Sequence, residues 1–514
     1  MKLSRHAFVR FWDVHAWIGV LGGLVLYVMF FAGGFALFRG ELGDWQEGGA
    51  AGVAGGSAET VGVLVERALA DRWQRLESVD VALPIEGARF VEVRWKVRSG
   101  DERGEMNLDT ATGALAPATS QLATILYWLH FLYHPKAVWG MYVAGLLGVA
   151  MLLAIVTGVL IHLKDLATQF HQFRPRKSVR VLWSDMHKVL GVMGLPFQLM
   201  YALTGALLCL VSVAMAFFVG PVFGGDRSAA TASLWGEPPS VEAAARSGPA
   251  GQRLGVDALL ARARVAVPGF RPEYIQLEKI GDPAATVSFW GERAGRLFRR
   301  GDIVLRAADG ALLAETVSSY PTATAATTRW VSGLHYAWFG GAAAKALYAL
   351  LAAATCLTIL TGNWIWLARR EARAEAAGHR LLSKLTIGVG GGVLVGTAAL
   401  FWANRLAPTI VRPAVEAWAF FGVWTICAVL FLGRAEARQG WVGLLVVAGG
   451  GFALVPLASV VRSGRTAFIG GVDAALMVLG AALCLTAGIV KRRATLAPSV
   501  ERGPASLQTD EAKS

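Results

Sequence analysis

The sequence predicts a mainly α-helical, polytopic membrane bundle of about eight transmembrane helices that carries two small α+β domains on one side. Hydrophobic residues form 55% of the 514-residue chain and charged residues only 17%, which is typical of a multi-pass membrane protein. A span must cross about 30 Å of hydrocarbon at about 1.5 Å per helical residue. Stretches that are long and apolar enough lie near residues 15–38, 138–163, 188–219, 342–367, 384–403, 414–433, 440–461 and 469–490.

Two long polar insertions between spans predict the α+β domains. Each contains a helix-like stretch followed by strand, turn and strand, as in RFVEVRWKV with NLDTATGAL and ATVSFWG with DIVLRAADGALLAE. The segment 224–252 is typical of a linker. The predicted organisation is 1–38 (cytoplasmic N-terminus and first span), 39–128 (first external domain), 129–219 (second span, basic cytoplasmic loop, third span), 220–333 (second external domain), 334–367 (fourth span), 368–383 (cytoplasmic loop), 384–490 (spans five to eight) and 491–514 (cytoplasmic tail).

The net charge of +13 does not indicate a nucleic-acid partner, because the basic residues are concentrated in alternate loops, such as 164–183 and 368–383. The positive-inside rule then places both termini in the cytoplasm and the two insertions outside. The basic start leads into an apolar run that is too long for a signal peptide and lacks a convincing cleavage site. We therefore expect an uncleaved anchor in the lipid bilayer.

An internal repeat selects a small set of histidines. WDVHAWIGVLGG (12–23) aligns with SDMHKVLGVMGL (184–195), so that His15 matches His187 and Gly19 matches Gly191. LHF (129–131) likewise aligns with LHY (334–336), which matches His130 with His335. The unit of span, external domain and span therefore occurs twice in the same orientation, as in transporters built from parallel repeats.

The repeated histidines indicate a haem protein. If the repeats pack around an axis along the membrane normal, His15 faces His187 at the cytoplasmic level, and His130 faces His335 at the outer ends of spans two and four. Two facing imidazoles are the ligands of a six-coordinate haem iron. A solvated interfacial histidine is the alternative for each one alone. Zinc is a weaker alternative, because neither level offers a cysteine or an acidic trio.

Several neighbouring residues are further candidates. Gly19 and Gly191 provide room either for a flat macrocycle or for close helix packing. His134 lies one turn from His130 and is a second candidate for the outer ligand or a propionate partner, and His162 is a possible propionate contact or ligand at the cytoplasmic level. Asp13 and Asp185 are candidates to orient the cytoplasmic imidazoles. Other histidines at positions 6, 171 and 379 are expected to be solvated.

The chain resembles the PepSY-associated transmembrane family of bacterial inner-membrane proteins. The resemblance covers roughly residues 5–370 and is carried by the two histidine spans, by LH at 129–130 and 334–335, by TG at 157–158 and 361–362, and by NLDTATGAL. It implies two periplasmic PepSY-like domains and two non-covalent haem b groups in the inner (cytoplasmic) membrane. The histidine positions of the family match His15, His130, His187 and His335.

Members of that family include ferric-siderophore reductases, so the expected function is electron transfer that reduces a ferric siderophore in the periplasm. No strand, GxGxxG and helix unit for a nucleotide is present, which leaves a membrane quinol or a separate reductase as the electron donor. One alternative is a non-enzymatic PepSY sensor or regulatory protein. Another is an iron or siderophore permease whose path runs through the last four spans, near which we identify only one acidic residue, Asp473.

Overall fold

Eight long apolar helices confirm the predicted polytopic bundle. The computed structural model describes residues 4–47, 60–83, 90–99, 102–110, 112–116, 120–134, 136–163, 172–174, 177–235, 253–293, 300–318, 322–371, 376–433, 438–463 and 470–496. Within these residues the membrane helices are α1 (Arg5–Ala36), α5 (Val138–His162), α7 (Leu195–Phe223), α11 (Gly341–Arg369), α12 (Ala377–Leu406), α13 (Arg412–Gly433), α14 (Arg438–Ser463) and α15 (Gly471–Leu496).

Shorter helices precede or follow the spans. They are α2 (Arg39–Gln46), α3 (Val61–Ala68), α4 (Leu122–His130), α6 (Val179–Met193), α8 (Arg227–Trp235), α9 (Val256–Ala266) and α10 (Ala323–His335). Helix α8 lies within the segment predicted to be a linker, so that prediction is wrong for Arg227–Trp235. The remainder of that linker, His171 and the end of the tail from 497 onward lie outside the described residues.

The two outer histidines stand at the last residues of α4 and α10, not on the membrane helices themselves. The chain then turns through left-handed residues, Leu132 and Lys136 after α4, and Ala337 and Gly340 after α10, before α5 and α11 begin. Gly140 permits the first turn, because a Cβ there would lie 1.9 Å from the Leu132 carbonyl oxygen. The prediction that these histidines lie at the outer ends of spans two and four is therefore corrected: each ends a separate short helix that precedes its span.

The two insertions build one continuous antiparallel sheet. Its order is β4-β3-β2-β1-β5-β6-β7-β8. The strands are β1 (Leu76–Ala82), β2 (Phe90–Val97), β3 (Arg103–Asp109), β4 (Leu115–Ala116), β5 (Phe270–Glu278), β6 (Thr286–Arg293), β7 (Arg300–Arg306) and β8 (Leu312–Glu315). Strand β1 pairs with β5 through Asp80 opposite Gln276, so the halves share a hydrogen-bonded ladder.

One face of the sheet is covered by α3 and α9. Alternate strand residues point into this core, among them Val79, Val81, Ile275 and Leu277, which are almost completely buried. The period-two hydrophobic pattern of the strands therefore has its expected physical origin. We call the side of the bundle that carries this sheet the sheet side, and the opposite side the distal side.

Helix α1 lies at the centre of the bundle and packs against α4, α5 and α11. The last four membrane helices form a C-terminal four-helix unit, in which α12 packs on both α13 and α14 and also touches α1. Tyr27 of α1 donates a hydrogen bond to the Gly390 carbonyl oxygen of α12 at 3.0 Å. The glycine run of α12 permits close contact, since a Cβ at Gly396 would lie 2.9 Å from the Phe420 carbonyl oxygen.

Candidate functional site

The distal pair consists of His15 on α1 and His187 on α6, whose ring centres lie 6.0 Å apart. The rings stand nearly perpendicular to each other. His15 Nδ1 lies 2.8 Å from the Ala154 carbonyl oxygen on α5, and His187 Nδ1 lies 2.8 Å from the Thr358 carbonyl oxygen on α11. Each ring is therefore held by a helix other than its own.

The sheet-side pair consists of His130 and His335, with ring centres 5.9 Å apart. His130 Nδ1 lies 2.8 Å from the Met29 carbonyl oxygen of α1. His335 Nδ1 lies 2.9 Å from the hydroxyl of Thr204 on α7. That hydroxyl is within 2.7 Å of the Met200 carbonyl oxygen, to which it donates its proton, so it accepts from the imidazole.

These contacts determine which ring nitrogen is available for a ligand. A carbonyl oxygen only accepts, so Nδ1 of a neutral imidazole in these positions carries the proton. The lone pair then resides on Nε2 of each ring. Metal-binding histidines show this arrangement, in which the second nitrogen donates to a carbonyl and fixes the ring.

A glycine lies beside each of the four imidazoles. An added Cβ would lie 3.0 Å from His15 at Gly158, 3.2 Å from His187 at Gly362, 2.7 Å from His130 at Gly33 and 3.5 Å from His335 at Gly205. Gly158, Gly362 and Gly33 each lie four residues after the residue whose carbonyl oxygen contacts the histidine ring. The missing side chain thus opens the helix surface where the ring reaches that carbonyl.

The TG sequences belong to this arrangement. Thr157 donates to the Leu153 and Ala154 carbonyl oxygens, and Thr361 donates to those of Leu357 and Thr358. Each hydroxyl therefore shares a carbonyl with a histidine of the distal pair. The sequence showed the TG repeat but not this role, because backbone acceptors carry no residue signature.

A cavity of about 320 Å³ surrounds the distal pair. Gly19 and Gly191 both line it, and neither packs closely: a Cβ at Gly19 meets nothing within 4 Å, and one at Gly191 meets only the Thr358 methyl group at 3.9 Å. His162 also lines this distal cavity. The two glycines therefore leave open space in the cavity instead of forming a helix contact.

The distal cavity offers hydrogen-bond donors. Lys188, Arg369 and Arg370 lie in its wall, with Arg369 over the Trp12 ring at 4.3 Å and Arg370 over the Trp366 ring at 4.2 Å. Among the described residues, the buried Nε1 of Trp366 and the buried Nε2 of Gln198, both in the lining, have no hydrogen-bond partner. This donor set suits an anionic or hydrogen-bond-accepting ligand.

A larger space, about 1360 Å³, lies between the sheet and the helix ends, and we call it the sheet-side chamber. His130 and His335 line it together with the aromatic rings of Trp290 and Trp338. Arg300 stacks over both tryptophans and pairs with Glu273, whose carboxyl pKa is raised by burial. The charged lining is nearly balanced, with Arg39, Arg264, Arg271, Arg293, Arg300 and Lys345 opposite Asp44, Glu47, Glu92, Glu273 and Glu292.

The other candidates lie apart from the two pairs. His134 Nε2 bonds the Ile125 carbonyl oxygen at 3.0 Å, and its ring lies against Trp128 and Phe421. Asp185 accepts from the backbone and guanidinium of Arg174, which lowers the pKa of its carboxyl group. The expectation that Asp185 orients an imidazole is therefore wrong, since carbonyl oxygens orient both distal rings.

The residues present fit two haem groups. Two imidazoles that held one metal ion through Nε2 bonds of about 2 Å would have ring centres about 6 Å apart, and the ring centres of the two pairs lie 6.0 and 5.9 Å apart. The rise of α1 from His15 to Met29 separates the two levels by about 21 Å. Next to the sheet-side pair lies a cluster of aromatic rings, in which Tyr201 contacts His335 at a centre distance of 4.8 Å and also packs against Phe30, Phe197 and Tyr348.

Comparison with known proteins places the histidine region in a recognised group. A family model described as the PepSY-associated TM region matches residues 12–369, which include both pairs and the whole sheet. An uncharacterized protein of Pseudomonas aeruginosa is 30% identical over 372 residues, which cover 69% of this chain and 92% of that protein. The C-terminal four-helix unit begins at Ala377, beyond the matched region.

Proposed function

The chain belongs to the PepSY-associated transmembrane family, and on that basis we propose that it is a di-haem b protein of the bacterial inner membrane that reduces ferric siderophores in the periplasm. The observation that carries this proposal is the spacing of the two histidine pairs, 6.0 and 5.9 Å. Haem bound at each level would supply a carrier for one electron.

The chain itself holds and orients these ligands. Nδ1 hydrogen bonds fix the tautomer of the imidazoles and increase the basicity of Nε2. The glycines beside the rings keep this geometry free of steric conflict. At the distal level Lys188, Arg369, Arg370 and His162 would receive the propionates, because cationic and N–H donors pair with carboxylates.

The sheet-side chamber would hold the ferric siderophore. His130 and His335 form part of its wall, so a bound substrate reaches the sheet-side pair directly. Each Fe³⁺ takes one electron, and the softer Fe²⁺ product is held less firmly by hard oxygen ligands. A membrane quinol or a separate reductase on the cytoplasmic side would be the electron donor. Oxidation of one quinol releases two protons and supplies two electrons, which reduce two ferric ions.

The matching contacts also support a parallel repeat with two PepSY-like halves. His15 with Ala154 and Gly158 corresponds to His187 with Thr358 and Gly362, and the two halves of the sheet have the same order of helix and four strands. In this proposal the repeat places equivalent ligands on both sides of each haem.

The experiment that tests the function begins with haem content. We expect two haem b groups per purified chain, and one in each of His15→Ala and His335→Ala, read from the reduced optical spectrum and by pyridine haemochrome assay. Quinol is then expected to reduce the wild-type haem, and a ferric siderophore to reoxidise it with release of Fe²⁺ to a chelator. A protein without haem, or haem that no ferric siderophore reoxidises, would overturn the proposal, and a colourless protein would favour the regulatory alternative.

A further inference from the structure

A buried polar cluster joins the C-terminal four-helix unit to the sheet-side helices. Its members on the four-helix unit include Asn404, Arg405, Arg412, Glu416 and Asp473, each at most 6% exposed. Charges buried at this depth in a membrane protein are costly unless they have partners. Glu416 lies inside the sixth span, so the expectation that Asp473 is the one acidic residue near these spans is wrong.

One part of this cluster, centred on Glu416, caps the N-terminus of α4. The first N–H groups of a helix have no acceptors within it. Here the backbone N–H of Ser120 donates to Glu47 at 2.6 Å, that of Gln121 to Glu416 at 2.6 Å and that of Ala123 to the side-chain oxygen of Gln46 at 3.0 Å. Acceptors from α13 and from the end of α2 thus add to the local cap, in which the Ser120 hydroxyl accepts from the Leu122 N–H at 3.2 Å, and the carboxylates also match the positive end of the helix dipole.

Glu416 is itself fixed by the four-helix unit. Its carboxylate accepts from the Ser120 hydroxyl at 2.6 Å and from Asn404 Nδ2 of α12 at 2.8 Å. Arg412, on the same helix as Glu416, pairs with Glu47 at 3.4 Å. Both carboxylates that cap α4 are therefore connected to the last four helices.

Helix α4 transmits this anchoring to the sheet-side pair. It is only nine residues long, about 13 Å, and its last residue is His130. Its inward face is buried through Leu122, Ile125, Leu126 and Leu129. A short helix fixed at one end and packed along one face has little freedom at the other end.

We propose that Glu416 is a positioning residue through which the C-terminal four-helix unit braces α4 and holds His130 opposite His335. The hydrogen bonds between Glu416 and the N-terminus of α4 are observed in the structure. The effect of Glu416 on a haem bound by His130 rests on the proposed function. The last four helices are then a support for the sheet-side ligand, added beyond the part of the chain that the family model matches.

The test uses the full-length protein with Glu416→Gln, which preserves size but removes the charge. We expect amide hydrogen exchange in residues 120–126 to accelerate about tenfold or more, because a hydrogen bond to a charged group is lost. Exchange in residues 323–335 should not change. In haem-loaded protein the absorption and electron paramagnetic resonance signals of the sheet-side haem should shift while those of the distal haem do not.

Asp473→Asn is the matched control, because Asp473 is a buried carboxylate of the same unit that contacts Trp45 and Ser459 and not α4. Ser120→Ala is the milder second variant, read at Gln121, whose N–H donates to Glu416, because the Ser120 hydroxyl also accepts from the Leu122 N–H and its loss affects Leu122 directly; exchange at Gln121 should accelerate by a smaller factor than in Glu416→Gln. Unchanged α4 exchange in both Glu416→Gln and Ser120→Ala, or equal acceleration in Asp473→Asn, would overturn the bracing. Because exchange is measured without haem, a wild-type protein that lacks haem would refute the proposed function and leave this result intact.

Discussion

At the scale of single residues, the main feature of the histidine sites is that each imidazole ring lies close to the backbone of a neighbouring helix. Gly33 shows it most clearly, because a Cβ there would lie 2.7 Å from His130 Nδ1 and 2.8 Å from Cε1. The ring occupies this space in order to reach the Met29 carbonyl oxygen. Glycine at this position is therefore part of the ligand geometry, and its role differs from that of a general helix-packing glycine.

Gly33→Ala should weaken haem binding at the sheet-side level about tenfold or more and leave the distal level unchanged. The added methyl group displaces the His130 ring from its orienting carbonyl, and loss of such a contact typically costs about 10–100-fold in affinity. Haemin titration of the apoprotein, fitted to two sites, measures the effect. Gly422→Ala is the control, since its Cβ meets nothing within 4 Å, and two unaltered sites in Gly33→Ala would contradict the prediction.

The internal repeat identified the four histidines as candidate ligands, because equivalent positions of the two halves carry them. It did not predict which groups accept the hydrogen bonds that orient the imidazole rings. The acceptors on Ala154, Thr358 and Met29 are backbone atoms, which any residue supplies. Asp185 looked suitable by proximity in sequence, but in the structure it pairs with Arg174. Proximity along the chain is a poor guide to contacts between helices that are far apart in sequence.

The joined sheet is the main feature at the scale of elements. Alternating apolar residues predicted the strands of both insertions, but they do not specify which strands become neighbours. Strands β1 and β5 are nearly 200 residues apart and pair in register from Ser78 opposite Glu278 to Ala82 opposite Tyr274. Two separate domains were expected because the sequence contains no signal for this pairing.

Asp80→Cys combined with Gln276→Cys should form a disulfide between the two halves of the sheet in membranes treated with a mild oxidant. The two positions are direct antiparallel partners, which brings their Cα atoms within the range that a disulfide requires. Asp80→Cys with Ser288→Cys is the matched control, because β6 lies two strands away at about 10 Å. A mobility shift after protease cleavage between the halves reports the bond, and equal cross-linking in both pairs would argue against the joined sheet.

Arrangement across the bilayer belongs to the scale of the whole molecule. Eight apolar helices with every described strand on one side match the alternation of basic loops in the sequence. The long apolar stretches predicted the number of spans correctly, because hydrocarbon thickness acts on composition alone, whereas the orientation that the basic loops indicate stays a prediction. These stretches did not predict the packing of the C-terminal four-helix unit on α1 and α4, which depends on particular side chains such as Tyr27 and Glu416.

Membrane-impermeant maleimide should label Glu105→Cys in cells whose outer membrane alone is permeabilised, and should label Ala376→Cys only after the inner membrane is opened. Both positions are exposed, the first on the sheet and the second on the distal side. The positive-inside rule places the basic distal loops in the cytoplasm. The wild-type chain corrects for its native thiols, and the reverse labelling order would show that the orientation is inverted.

Fusion of the two halves also changes what the sheet presents to other chains. With β1 and β5 joined, the outermost strands of the described sheet are β4, of two residues, and β8, of four. Unpaired strand edges are templates for aggregation, and very short edge strands are one way in which proteins limit it. If the halves were separate, the seven-residue β1 and the nine-residue β5 would each be a long exposed edge strand, to which a strand of another protein molecule could pair.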